Sequence, residues 1–352
     1  VDSSSKMGIG HLMRCLTLAN SFKDKGFTCY FFCKDHCNNQ NWLIEEIGHF
    51  LVEIDLDSEF KPTSLYQEWL GSSQDYDAKQ CIVKMDDMYE LIIIDHYGLD
   101  IYWESEVRKN TKKILVIDDL ANRKHESDFL LDTAYGKHED DYKLLVPKNC
   151  KLLVGSEYCL LRPEFREYRN KIEQNRKQLS EVKCILVGFG GTDPFKLTKK
   201  TLIILEDIGY KGKVKVLISS SCDWIEELKI EMLTMDNVDL HIDSKFIAKI
   251  MSEADLAIGG GGGMAWERCC LGLPTLLISY SDNQKLISES LHNGGACHHI
   301  CEEKFSTIEL ENFISSTTGN ISKLIEMSKN SFNILDGLGS NRVRDRAIYN
   351  EN

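Results

Sequence analysis

A histidine near the start of the chain stands where a general base could act. His11 follows a loop of small residues that includes Asp2, Gly8 and Gly10, and it opens a helix whose apolar face starts at Leu12. Such a loop leaves the N-terminal amides of the helix free for an anion or a polar ligand. The helix dipole disfavours imidazolium there, which favours the neutral form that a general base requires. A helix cap or a core histidine is the alternative interpretation.

A second polar group follows an apolar run at residues 91–94. Asp95, His96 and Tyr97 come directly after that run, and Gly98 follows them. Ligands of parallel α/β sheets bind beyond the carboxyl ends of the strands. Asp95 or Tyr97 could therefore orient an imidazole or hold a sugar hydroxyl. An aspartate at this point is also a common helix cap, and the sequence leaves both interpretations open.

Five consecutive glycines at residues 259–263 form the strongest signal in the chain. A short apolar run precedes them and a helix with Glu267 follows, so the backbone could approach a pyrophosphate closely at a helix N-terminus. The spacing fits neither the dinucleotide fingerprint nor the P-loop. Glu267 could accept the two hydroxyls of a ribose, or it could be a solvated helix residue. The binding residues predicted here are Gly260, Gly261, Gly262, Gly263 and Met264.

Two further loops carry candidate ligand contacts. Gly190 and Gly191 follow an apolar run at 185–188 and indicate a second anion-facing turn. Asn283 and Gln284 begin another helix, and their side-chain amides suit a neutral polyol better than a phosphate. The Cys/His groups at 33–37 and 297–301 do not have the spacing of known metal ligands, so we expect no metal and no cofactor.

The fold class predicted from the apolar runs is α/β. Continuous rather than alternating hydrophobicity indicates strands buried on both faces, as in parallel, doubly wound sheets. We expect two Rossmann-like doubly wound domains facing a cleft, at residues 1–165 and 182–352, with a polar helical linker at 166–181. A first strand is expected before Val1, because the loop at 2–10 follows no strand in this sequence.

The amino-acid composition argues against several classes of binding partner. The 352 residues carry 42 basic and 55 acidic side chains, a net charge of -13, which argues against nucleic acid and anionic membrane as partners. No apolar run is long enough to span a membrane, and 13 scattered cysteines indicate a reducing compartment. We predict a cytoplasmic protein of undetermined oligomeric state.

Taken together, these motifs resemble the UDP-2,4-diacetamido-2,4,6-trideoxy-β-L-altropyranose hydrolases of pseudaminic acid biosynthesis, relatives of the GT-B glycosyltransferases. The resemblance spans essentially the whole chain. Its most specific parts are the strand end at 94–98 and residues 2–11, which we call the histidine loop. The chain departs from the family in lacking a first strand and in carrying Gly263. The segments that carry the resemblance are 2–11, 94–98, 160–165, 190–193, 266–268, 283–284 and 336–339. Within the third of these segments, Arg162 is a predicted substrate-binding residue.

The resemblance implies hydrolysis of the bond between the anomeric carbon and the pyrophosphate, with inversion, by a water that His11 deprotonates. It places the pyrophosphate on residues 260–263, the ribose on Glu267, and the uracil against backbone around Phe246. The sugar would lie near Asn283, Tyr97 and the histidine loop. The partners are thus a UDP-activated amino sugar and water, with no metal required.

Two other functions remain open. A GT-B glycosyltransferase resembling the one that adds N-acetylglucosamine to the lipid-linked peptidoglycan precursor would share the glycine loop and the glutamate. The acidic charge and the lack of a basic amphipathic helix weigh against it. The second alternative is a catalytically inactive protein that binds a nucleotide sugar. In the sequence, only the presence of His11 argues against it.

Overall fold

The computed structural model describes residues 1–4, 6–232 and 235–349, without the side chains of Asp282, Asn283 and Thr318. The chain divides into two units, one comprising Val1–Leu160 with Leu338–Asn352 and the other Leu161–Gly337. Among the described helices, none is both long and apolar enough to cross a bilayer.

The first unit begins with helices and strands in alternation. They are α1 (Gly10–Lys23), β1 (Tyr30–Lys34), α2 (Trp42–Ile47), β2 (Phe50–Ile54), α3 (Leu65–Leu70), α4 (Gln74–Lys84), β3 (Ile92–Ile94), α5 (Ile101–Val107), β4 (Ile114–Ile117), β5 (Phe129–Asp132) and β6 (Lys151–Val154). Strands β3, β4, β5 and β6 form a parallel sheet in that order, and β1 pairs with β2 in parallel. The apolar face of α1, with Leu12 and Leu16, packs in one core with Leu115 of β4 and Phe129 of β5.

The second unit has a larger sheet. Its elements are α6 (Pro163–Lys177), β7 (Cys184–Gly188), α7 (Leu197–Asp207), β8 (Lys213–Ile218), α8 (Ile225–Met232), β9 (Val238–Ile242), α9 (Ile247–Ser252), β10 (Leu256–Gly260), α10 (Gly263–Cys270), β11 (Thr275–Ser279), α11 (Asp282–Asn293), β12 (His298–Cys301), α12 (Thr307–Thr318) and α13 (Ile321–Ile334). The last helix of the chain is α14 (Gly339–Tyr349), and short 3-10 helices lie at Arg108–Asn110, Glu139–Asp141, Ser156–Tyr158 and Glu302–Lys304.

The order of strands in the second unit defines where a ligand can bind. All six strands are parallel, in the order β12-β11-β10-β7-β8-β9, so the direction of winding reverses between β7 and β10. In open α/β sheets, the crevice beyond the carboxyl ends of the strands at this reversal is the binding position. The loops that follow β7 and β10 are the glycine loops singled out in the sequence.

The domain boundaries differ from the prediction at both ends of the second unit. Helix α6 lies inside this unit rather than in a separate linker, because Phe165 and Ile172 are buried and Arg169 donates to the carbonyls of Cys270, Phe332 and Leu335. Helix α14 belongs to the first unit instead of the second.

Helix α14 completes the core around α1. Val343 and Ala347, one helical turn apart, are buried in the same cluster as Leu12, and Arg344 donates to the carbonyl of Ser21 at 3.2 Å. Helix α14 consists mostly of polar residues, but its apolar stripe thus completes the core of the first unit.

Candidate active site

The first turn of α1 is open to a ligand. No side chain caps the helix at Ile9, and a Cβ placed at Gly10 would meet no atom within 4 Å. The preceding turn closes through the Gly8 amide, which donates to the carbonyl of Ser4 at 2.8 Å. The helix start directly before His11 thus has no side-chain cap, and the binding of an anion or polar ligand there stays a prediction.

His11 and Asp95 lie in contact although 84 positions separate them. The Nδ1 atom of His11 is 2.7 Å from Oδ1 of Asp95, whose side chain is fully buried. A carboxylate accepts the Nδ1 proton, which leaves the lone pair on Nε2. The pair therefore has the arrangement of a histidine base held by an aspartate.

Arg14 holds the carboxylate of Asp95 from the other side. Its Nε donates to Oδ2 at 2.6 Å and its Nη2 to Oδ1 at 2.6 Å. Burial acts to raise the pKa of Asp95, but its electrostatic interactions and hydrogen bonds with Arg14 and His11 outweigh burial and hold that pKa far below its ordinary value. Nη2 of Arg14 also lies 3.1 Å from Nδ1 of His11. Because Nδ1 cannot accept from Arg14 while donating to Asp95, the shorter contact with the carboxylate decides the tautomer.

Tyr97 joins the same network through a second aspartate. Its hydroxyl donates to Oδ1 of Asp119 at 2.7 Å, and Nη1 of Arg14 lies 3.3 Å from the other oxygen. Burial, followed by the Asp119 carboxylate, raises the pKa of Tyr97 well above its ordinary value. The Tyr97 ring stands edge-on to His11, with centroids 4.8 Å apart. Tyr97 is therefore placed to orient the imidazole and keeps its proton at neutral pH.

Two aromatic side chains of α3 complete the surroundings of His11. Trp69 lies edge-on to the imidazole at 6.5 Å, and Tyr66 contacts both Trp69 and Tyr97. Gly98 makes this approach possible, since a Cβ there would lie 2.6 Å from the carbonyl of Tyr66. The glycine after Tyr97 thus has a packing reason that the sequence alone did not show.

Asp2 lies in a separate buried cluster. Its Oδ1 accepts from the amide of Lys34 at 2.7 Å, and its Oδ2 lies 3.9 Å from His36 and 3.8 Å from His96. Burial is the first cause that lowers the pKa of His96, to about 3, so this imidazole is neutral. The contacts of Asp2 tie the loop to the end of β1, and its role in binding substrate stays a prediction.

In the second unit, the five glycines divide into two kinds. Gly259 and Gly260 end β10, and a Cβ on Gly259 would lie 2.3 Å from the carbonyl of Gly188. A Cβ on Gly261 would lie 2.6 Å from Ser288 Oγ. By contrast, a Cβ on Gly262 or Gly263 would meet no atom within 4 Å, and no side chain caps α10 there. Only the last two glycines therefore leave open space at the helix start.

Glu267 lies one turn into α10 and pairs with Arg162. The nearest atoms are 3.5 Å apart, and the Glu267 side chain is 17% exposed. Burial raises the pKa of Glu267, an effect that Arg162 and Arg268 partly offset. The structure thus brings together two residues that the sequence assigned to binding from segments 105 positions apart.

Tyr280 connects the remaining loop residues. Its hydroxyl donates to the carbonyl of Phe189 at 2.8 Å, beside Gly190, and its ring lies against Gly260. Gln284 packs against Gly261, where a Cβ would be 3.2 Å from the Gln284 Cβ. The loops after β7, β10 and β11 thus meet around one tyrosine.

The other predicted contacts lie at the edge of this group or outside the description. Met264 covers Gly188, where a Cβ would lie 3.0 Å from its methyl group, and a Cβ on Gly191 would lie 3.1 Å from Ser219. Phe246 precedes α9 and is 72% exposed. The side chain of Asn283 lies outside the described residues.

Sequence reasoning did not select Arg14, Asp119, Trp69 or Tyr280. Arg14 stands three positions after His11, which places both on one face of a helix, and Asp119 is the second residue after β4, close to the position that Asp95 has after β3. Both positions could have identified Arg14 and Asp119 as candidate site residues from the sequence. Within the described ranges, no group of three or more His, Cys, Asp and Glu side chains is placed to hold a metal ion.

Two solved structures share this architecture over almost the whole chain. MurG of Acinetobacter baumannii superposes with a TM-score of 0.62 at 15% identity, covering 96% of this chain and 95% of that one. UDP-GlcNAc 2-epimerase from Neisseria meningitidis gives a TM-score of 0.62 at 12% identity, covering 99% and 98%. Residues 184–343 match the Glycosyltransferase family 28 C-terminal domain. The protein therefore has the two-domain, Rossmann-like GT-B fold, as predicted.

One curated relative specifies the family more narrowly. UDP-2,4-diacetamido-2,4,6-trideoxy-β-L-altropyranose hydrolase from Campylobacter jejuni is 30% identical over 286 residues, which are 81% of this chain and 91% of that protein. The chain belongs to the family of this hydrolase, which confirms the resemblance found in the sequence.

Proposed function

We propose that the protein hydrolyses a UDP-di-N-acetylated 6-deoxy amino sugar at its anomeric C–O bond, with inversion, in pseudaminic acid biosynthesis. The observation that carries this proposal is the His11–Asp95 contact of 2.7 Å at an open helix start. The family relative, named as a hydrolase of such a UDP-sugar, supports the choice of substrate. The cytoplasmic location stays a prediction.

In the proposed reaction, His11 acts on water. Nε2 takes one proton as the water oxygen attacks the anomeric carbon, and the bond from that carbon to the β-phosphate oxygen breaks. The electron pair of that bond leaves with UDP, and attack from the opposite side inverts the anomeric centre. Asp95 stabilises the imidazolium that forms, because its carboxylate stays ionised beside Arg14.

The nucleotide is assigned to the second unit. Gly262 and Gly263 leave the uncapped start of α10 open, where amides and the helix dipole favour a pyrophosphate. Preorganised donors of this kind also stabilise the charge that develops on the leaving UDP. Glu267 lies one turn further on, in reach of a ribose bound beside Arg162. The uracil is assigned to the backbone around Phe246.

Hydrolysis is tested by product analysis with UDP-2,4-diacetamido-2,4,6-trideoxy-β-L-altropyranose in isotopically labelled water. We expect free sugar of inverted configuration by NMR, with the label on the sugar and none on UDP. His11→Asn should lower the rate by about 10²–10⁴-fold and bind UDP normally. The matched control is His138→Asn, since His138 is exposed and asparagine also suits its helix-capping position. Label on UDP, or full activity of His11→Asn, would contradict the mechanism.

A glycosyltransferase is the second candidate, favoured by the family 28 domain at residues 184–343. Such an enzyme would release UDP only when an acceptor other than water is present. UDP release in buffer alone, at a rate unchanged by added acceptors, separates the hydrolase from this alternative. UDP binding without any turnover would instead indicate a non-catalytic nucleotide-sugar binding protein.

A further inference from the structure

Two aromatic rings contact the imidazole of His11, those of Trp69 and Tyr97, and the ring of Tyr66 packs against both of them. Tyr66 and Trp69 come from α3 and Tyr97 from the loop after β3. Ring centroids are 5.5 Å apart for Tyr66 and Trp69, 5.2 Å for Tyr66 and Tyr97, and 6.0 Å for the stacked pair of Trp69 and Tyr97. We call these three residues the aromatic cluster. All three side chains are partly buried, so each keeps some accessible surface.

Contacts with two other segments fix the position of α3, and a side-chain cap stabilises its first turn. The carbonyl of Tyr66 lies so close to Gly98 that any side chain there would collide with it. Glu68 pairs with Lys6 of the histidine loop, and Ser64 caps the helix by accepting from the Gln67 amide at 3.3 Å. The helix is thus attached to both segments that position His11. The aromatic cluster therefore has a defined location relative to the base.

One polar atom of the aromatic cluster has no partner. The indole Nε1 of Trp69 is buried and makes no hydrogen bond, although a buried donor of this kind is normally satisfied. Tryptophan combines an apolar face with one N–H donor, which suits a ligand that is apolar except for an acceptor oxygen. An acetamido group has this character, with a methyl beside a carbonyl oxygen.

We propose that Tyr66, Trp69 and Tyr97 bind the acetamido and C6-methyl groups of the sugar and select a di-N-acetylated 6-deoxy sugar over more hydroxylated ones. This inference rests on the proposed function. In it, the ring of Trp69 turns to donate its N–H to an acetamido oxygen, while the ring faces cover the methyl groups. Hydroxyl groups at the same positions would lose water without gaining partners.

The test compares two nucleotide sugars and UDP on Trp69→Ala, Trp69→Phe and the wild type. The sugars are UDP-2,4-diacetamido-2,4,6-trideoxy-β-L-altropyranose and UDP-N-acetylglucosamine, which carries hydroxyls at C4 and C6. For the first sugar, we expect Trp69→Ala to lower kcat/KM by about 10–200-fold, mainly through KM. The second sugar, measured as a substrate or as a competitive inhibitor, should change several-fold less, and inhibition by UDP should not change. Trp69→Phe, which keeps a ring, should lose less than Trp69→Ala.

Trp42→Ala is the matched control, because Trp42 is 56% exposed on α2 of the same unit. Equal losses for both sugars and UDP in Trp69→Ala, or unchanged kinetics in both Trp69 variants, would overturn the inference. If Trp69→Ala does not fold, the comparison between Trp69→Phe and wild type decides, since equal discrimination between the two sugars would also overturn it. Failure of the proposed function is distinguishable, because wild-type protein would then hydrolyse neither sugar.

Discussion

Arg14 binds both carboxylate oxygens of Asp95, since its Nε donates to Oδ2 and its Nη2 to Oδ1, each at 2.6 Å. Two parallel charge-assisted hydrogen bonds fix a carboxylate in orientation as well as in charge. Asp95 in turn fixes the tautomer of His11. Arg14 therefore determines the orientation of the base indirectly, through Asp95. A lysine, with a single charged nitrogen, cannot reproduce this geometry.

The first prediction concerns this chain of contacts. Asp95→Asn should lower turnover by about 10²–10⁴-fold, because an amide no longer selects the Nδ1–H tautomer or stabilises imidazolium. Arg14→Lys should lower kcat with little effect on inhibition by UDP. Steady-state kinetics of both variants check this, and an unaltered kcat in Asp95→Asn would show that His11 needs no carboxylate.

The second prediction concerns the ribose. Glu267→Ala should weaken UDP and the UDP-sugar equally, by about 1–3 kcal/mol if two ribose hydroxyls lose their acceptor in a desolvated site. Calorimetric titration measures both affinities. Glu164→Ala is the matched control, because Glu164 pairs with the same Arg162 at 3.1 Å from a more exposed position. Normal UDP binding with slow turnover in Glu267→Ala would place Glu267 in the chemistry instead.

The third prediction separates the two kinds of glycine after β10. Gly263→Ala should leave the melting temperature unchanged or higher, since its Cβ has open space, and should weaken UDP binding by obstructing the helix start. Gly261→Ala should lower the melting temperature, because its Cβ would lie 2.6 Å from Ser288 Oγ. Thermal unfolding and UDP titration of both variants provide the test. Full UDP affinity in Gly263→Ala would remove that residue from the nucleotide site.

The fourth prediction is that treatment with EDTA leaves turnover intact. The amides at the start of α10 can carry the charge of the leaving pyrophosphate, which is the task a divalent cation otherwise performs. Activity is measured after dialysis against chelator and after adding back magnesium or manganese. Complete loss that either metal restores would contradict this prediction.

The fifth prediction concerns stability against pH. His125 is buried with Nδ1 2.7 Å from Glu104 and Nε2 3.9 Å from Asp118. Burial lowers its pKa, but Asp118 and Glu104 outweigh burial, and the pKa lies above its ordinary value. The protonated form is therefore favoured on folding. Its contribution is complete below about pH 6.5, the unfolded value, and is lost as pH rises through the folded pKa.

Melting temperatures across this range test the sign. The wild type should lose stability relative to His125→Gln as pH rises above about 6.5, because the variant has no proton to release. A constant difference between the two proteins at all pH values would show that His125 does not titrate on unfolding.

The sequence was most informative where one segment contains both an element and its function. The apolar runs at 91–94 and 185–188 both form strands, β3 (Ile92–Ile94) and β7 (Cys184–Gly188). Strand β9 was not predicted. Val238–Ile242 alternates apolar and polar residues because β9 lies at the edge of its sheet, where one side needs less covering.

Contacts between segments that lie far apart in the sequence were harder to predict. Asp95 was recognised by its strand end, but whether it caps a helix or holds an imidazole depends on a partner 84 positions away. Likewise, nothing local indicates that α3 brings Trp69 to His11, since only the close approach at Gly98 explains this packing. Residue type and strand position were predictable, whereas pairing required the tertiary structure.

Helix α14 affects how the chain can fold during synthesis. The apolar face of α1 is synthesised before the second unit, but Val343 and Ala347, which pack in its core, are synthesised after that unit. Until then, the first unit has part of its core uncovered while the whole second unit, Leu161–Gly337, is already available to fold. The first unit therefore cannot complete its core before the second unit has been synthesised, and a chain that ends before Val343 would leave part of an apolar helix face exposed to chaperones and proteases.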